Sequence, residues 1–101
     1  MDEDDPPVEV PIEDALDLHP FAPSEVPDVV MEYLRAARAA GFREVRLIHG
    51  RGHGVQRARV HSLLASIPWV LSAAEAPPER GGWGATVVTL AAEGVGPTGG
   101  G

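Results

Sequence analysis

Val26, Val30, Tyr33, Leu34 and Ala37 recur at intervals of three and four, the spacing that lines one face of an α-helix. Ser24 ahead of them is the predicted N-cap. Pro27 falls in the first turn, where a missing N–H is tolerated, Asp28 and Glu32 suit the N-terminal half, and Gly41 is a natural stop. A second helix is predicted from about Val55 to Ile67 on the apolar set Val60, Leu63, Leu64 and Ile67, with Pro68 ending it. Ala15 to His19 (ALDLH) alternates apolar and polar residues as a short strand does, and Pro20 and Pro23 break it. Glu44 to Ile48, Trp69 to Ala74 and the β-branched Ala85 to Leu90 are the other predicted strands, with a loop from Pro77 to Trp83. The order is β-α-β-α-β-β. Strand–helix–strand units at this spacing make right-handed parallel crossovers, which puts both helices on one face of the sheet. The expected fold is a two-layer α/β sandwich with a four-stranded mixed sheet.

Residues 1–11 combine an acidic run with Pro6, Pro7 and Pro11 and are expected to be a disordered tail, and residues 93–101, with five glycines, a flexible end. The domain is therefore expected over residues 12–92. The formal charge of -7, taken as a total, opposes a polyanionic partner. Its distribution weakens that objection, because five of the fifteen acidic residues lie in the first nine positions. Between Glu13 and Ala91 nine acidic residues face eight basic ones, and every basic residue is Arg, which suits bidentate phosphate contact. With no cysteine there can be no disulfide, thiolate metal site or Cys nucleophile. The opening Asp2, Glu3, Asp4 and Asp5 are unlike a signal peptide, and a cytoplasmic location is expected.

His49-Gly50-Arg51-Gly52-His53-Gly54 lies between a predicted strand and a helix start, where unpaired N–H groups and the helix dipole favour an anion. Alternate glycines let the backbone approach a phosphate and adopt positive φ; the alternative is a tight turn that needs glycine for packing alone. Arg57 and Arg59 in the next helix would extend the positive charge, or stand as solvated helix arginines. Asp17 and His19, two apart on a strand, share a face. A carboxylate beside an imidazole orients it and raises its basicity, the pairing used in acid–base catalysis; an Asp capping a turn beside a surface His is the plainer alternative. Trp83 is read equally as a base-stacking ring or as packing, Trp69 as core and His61 as a surface residue.

Leu16-Asp17-Leu18-His19 resembles the Leu-Asp-Leu-His signature of Smr (small MutS-related) domains, and His49-Gly50-x-Gly52-x-Gly54 is similar to their His-Gly-x-Gly-x-Gly motif. Gly81-Gly82-Trp83-Gly84-Ala85-Thr86 resembles the glycine-rich turn before their last strand, and the three come in the family order. The resemblance implies a fold like the C-terminal domain of translation initiation factor three and DNA-nicking or RNA endonuclease activity. It would make Asp17 and His19 catalytic and bring His49, Gly50, Gly52 and Gly54 to a backbone phosphate; Arg51 and His53 within the loop, where family members vary, and Arg57 beyond it are added as binding residues by their position and charge alone. Pro20 stands where the family usually has glycine, which removes an N–H beside the site.

The expected partner is DNA or RNA, not a membrane, with a repair or ribosomal protein as a further partner. The competing functions are a binding module without cleavage and an adaptor. No carboxylate cluster suits a two-metal mechanism, so cleavage is expected to use acid–base chemistry without metal or with one weakly held Mg or Mn ion.

Overall fold

The computed structural model describes residues 12–50 and 54–92. The predicted terminal tails, and the middle of the glycine loop at Arg51, Gly52 and His53, lie outside the described residues. Strand β1 (Ala15–Asp17) is followed by α1 (Val26–Ala39), β2 (Glu44–Ile48), α2 (Val55–Ala65), β3 (Val70–Glu75) and β4 (Ala85–Leu90). One-turn 3-10 segments stand at Pro23–Glu25, Pro78–Arg80 and Gly82–Gly84. The sheet order is β1-β2-β4-β3, with β1 parallel to β2 and β4 antiparallel to both of its neighbours. The last strand thus enters the middle of the sheet.

Register explains why that strand carries so many buried residues. Val45 faces Val88 and Leu47 faces Thr86, and cross-strand partners present their side chains to the same side. Both helices cover that side. Val26, Val30, Leu34 and Ala37 of α1 and Val60 and Leu64 of α2 form one buried cluster with Leu18, Val45, Leu47, Ile67, Val88 and Leu90. Truncating a central member such as Leu34 to Ala would cost about 2–5 kcal/mol. The two-layer α/β sandwich is therefore the one expected, and among the described residues no helix is long and apolar enough to cross a membrane.

Boundaries shift where local bonding outweighs the periodic pattern. Ser24 is not the N-cap: Pro23 starts a 3-10 turn, and α1 begins at Val26 without a side-chain cap. The Glu25 carboxylate instead accepts the N–H of Ala22 at 2.9 Å. The other end of α1 follows expectation. Gly41 takes φ +96°, its N–H bonds to the Arg38 carbonyl and that of Phe42 to the Ala37 carbonyl, the paired bonds of a Schellman stop. Helix α2 ends at Ala65 rather than Ile67, and β3 begins at Val70 rather than Trp69. The loop expected between β3 and β4 holds two tight turns, tied to β2 by Arg80 pairing with Glu44 at 3.1 Å and by Arg46 donating to the Arg80 carbonyl.

Candidate functional site

Strand β1 stops at Asp17 because its carboxylate captures the next turn. Oδ1 of Asp17 accepts the backbone N–H of His19 at 2.9 Å and stands 2.6 Å from His19 Nδ1. The backbone bond, then the imidazole, hold the Asp17 carboxyl below its ordinary pKa. An ionised carboxylate only accepts, so the shared proton sits on Nδ1 and leaves Nε2 as the ring nitrogen free for chemistry. Both side chains are exposed, His19 at 62%.

The neighbouring parallel strand brings the glycine loop to this ring. After β2 the N–H groups of His49 and Gly50 both donate to the Gly84 carbonyl, at 3.0 and 2.9 Å, and Gly50 adopts φ +83°. A Cβ built on Gly50 would stand 2.7 Å from His19 Nε2. Glycine is required here for conformation and for space. At the far end of the loop Gly54 has φ +82° and caps α2, and a Cβ there would meet the Trp83 ring at 3.4 Å.

The side chain of His49 goes elsewhere. Expected to touch phosphate, it is only 7% exposed. The reason is period two: Val45, Leu47 and His49 point to the helix-covered side. His49 Nε2 is 2.9 Å from Thr86 Oγ1 and Nδ1 is 3.0 Å from the Gly50 carbonyl oxygen. His61, expected at the surface, is half-buried with Nε2 2.9 Å from the same Thr86 hydroxyl. Burial pushes both imidazoles below the usual histidine pKa, and the Arg57 charge acts in the same direction. Thr86 and His61 are the residues sequence reasoning missed. Their positions signalled them, since Thr86 continues the inward alternation of β4 and His61 sits three residues before buried Leu64 on α2.

Arg57 lies over the Trp83 ring, 5.7 Å from its centroid, and 4.0 Å from Glu75. Its Nε is buried with no hydrogen-bond partner among the described residues. Trp83 is 38% exposed, whereas Trp69 packs against the core under Arg38, 5.0 Å from the ring centroid. Among the described residues no three His, Asp or Glu side chains converge as a metal-ligand set.

A two-layer α/β domain with an Asp–His pair seated against a glycine loop at the ends of parallel strands defines the class. The Smr domain family model matches residues 16–91, and the chain belongs to the Smr domain family. It is 40% identical over 75 residues to the endonuclease MutS2 of Thermus thermophilus, covering 74% of this chain and 10% of that protein. Against the endonuclease MutS2 of Solidesulfovibrio magneticus it is 44% identical over 61 residues, covering 60% of this chain and 8% of that one. The chain thus matches only 8 to 10% of the length of these relatives. The crystal structure of the Smr domain of T. thermophilus MutS2 superposes with a TM-score of 0.72 at 38% identity, covering 77% of this chain and 98% of that one. YdaL, a stand-alone small MutS-related protein from Escherichia coli, gives 0.74 at 30% identity, covering 80% and 66%.

Proposed function

We propose that the protein binds a DNA or RNA strand and cleaves its phosphodiester backbone by acid–base chemistry at His19. The observation that supports this is the seating of His19: Asp17 holds Nδ1, and Nε2 is turned onto Gly50 at the mouth of the loop. The phosphate would be drawn by the first turn of α2 and by Arg57, and cleavage requires that it also reach that nitrogen. Nε2 then takes the proton of the attacking oxygen as the new P–O bond forms, or returns one to the leaving oxygen as the old bond breaks. Pro20 offers no N–H, so the side chains and the loop carry the work at this end of β1. A divalent ion held here would rest on Asp17 and substrate oxygens and would help to neutralise phosphate charge.

The test is incubation of purified protein with supercoiled plasmid and with labelled single-stranded RNA, with and without Mg or Mn. His19→Ala is expected to lower cleavage by about 100-fold or more, the scale of acid–base catalysis, and Asp17→Asn by less. Both variants should retain most binding, because the imidazole acts on the transition state. A His19→Ala protein that cleaves at the wild-type rate overturns the assignment. Wild-type protein that binds with steep salt dependence and cleaves nothing is instead a binding module.

A further inference from the structure

Behind the candidate site lies a chain of three side chains that the chemistry above does not use. Thr86 is fully buried on β4, and its Oγ1 stands 2.9 Å from Nε2 of His49 and 2.9 Å from Nε2 of His61 on α2. A hydroxyl has one proton and donates it once. The direction is settled at the loop, where His49 Nδ1 lies 3.0 Å from the Gly50 carbonyl oxygen, which can only accept. His49 therefore carries its proton on Nδ1. Its Nε2 is left with a lone pair and takes the Thr86 proton, and the Thr86 oxygen accepts the Nε2–H of His61. Every bond then runs one way, from α2 through the sheet to the Gly50 peptide.

Gly50 is the last link. Its N–H is fixed by the Gly84 carbonyl, its own carbonyl by His49, and its α-carbon is the surface on which the His19 ring rests. We propose that Thr86 and His61 are positioning residues: the Thr86 hydroxyl, oriented by His61, donates to Nε2 of His49 and holds the ring so that its Nδ1–H stays on the Gly50 carbonyl, which orients the Gly50 peptide and so seats His19. Only the kinetic consequence rests on the reading of His19 as the acid–base group. An imidazole bonded at both nitrogens is held in one orientation, so removing the bond at Nε2 loosens the one at Nδ1 and should be felt at His19.

Long-range proton–nitrogen correlation spectra of the whole chain at about pH 8, where free imidazoles are neutral, test this directly. The expected wild-type result is Nδ1–H for His49 and Nε2–H for His61. Thr86→Val keeps the shape and removes the hydroxyl. It should loosen the His49 ring and so move its Nδ1–H signal, shift the Gly50 amide and His19 ring signals, and lower kcat about tenfold with KM within about twofold. Thr86→Ser should restore all of these. His61→Leu should give a smaller change of the same sign, and His61→Gln, which still donates, should not; this pair carries the comparison if Thr86→Val does not fold. An Nε2–H tautomer for His49 in the wild type overturns the proposal, and so does a folded Thr86→Val protein whose Gly50 and His19 signals are unmoved. If wild-type protein cleaves nothing, the cleavage reading fails, while the spectra still decide the positioning.

Discussion

The imidazole of His19 rests against Gly50 so closely that a Cβ on that glycine would stand 2.7 Å from Nε2. The contact joins the turn after β1 to the loop after β2. It exists because the two strands are parallel neighbours whose carboxyl ends share one edge of the sheet.

Gly50→Ala should therefore damage function more than stability. The left-handed φ costs a non-glycine residue about 1–2 kcal/mol, and the exposed His19 ring can swing aside to admit the methyl. Cleavage should fall by about 100-fold as the ring leaves its seat. Gly41→Ala is the control, because Gly41 has φ +96° with nothing within 4 Å of an added Cβ. It should lower the urea midpoint by a similar amount and leave cleavage unchanged. Equal cleavage by both variants would mean that Gly50 does not hold His19.

Arg57→Ala should weaken binding to all sequences about equally and reduce the slope of log affinity against log salt by about one. Fluorescence anisotropy across a salt series measures both. An unchanged slope would confine Arg57 to its place on Trp83, where the guanidinium lies 5.7 Å from the ring centroid.

Stability should fall on mild acidification. Burial lowers the pKa values of His49 and His61, so in the window below the unfolded value of about 6.5 the unfolded chain binds more protons than the folded one. Their contribution is complete above that value and is lost as pH falls through the folded values. Urea midpoints measured from neutral pH down to about pH 5 should decline, and a His49→Asn, His61→Gln double variant should decline less steeply. The depressed pKa of Asp17 has the same sign at lower pH, its contribution lost as the carboxylate is protonated.

Much of this molecule is legible in local pattern. The spacing of Val26, Val30, Leu34 and Ala37 determined the buried face of α1, Gly41 its stop, and ATVVTL the full extent of β4, because period and turn chemistry act over a few residues. The pairing of Asp17 with His19 also lay within a single turn. Tertiary structure decided what depends on register and on partners distant in the chain. It placed β4 between β2 and β3, which set Thr86 opposite Leu47, within reach of both His49 and His61. It turned His49 inward to a hydroxyl 37 residues away and brought Gly50 to His19. It also sorted the arginines: Arg38 bonds the Ala91 and Ala92 carbonyls, Arg80 pairs with Glu44, and Arg57 lies on Trp83, whereas Arg59 is left in solvent. Identical side chains cannot be told apart by composition, because the acceptors, rings and carboxylates that engage Arg38, Arg57 and Arg80 arrive only when the sheet closes.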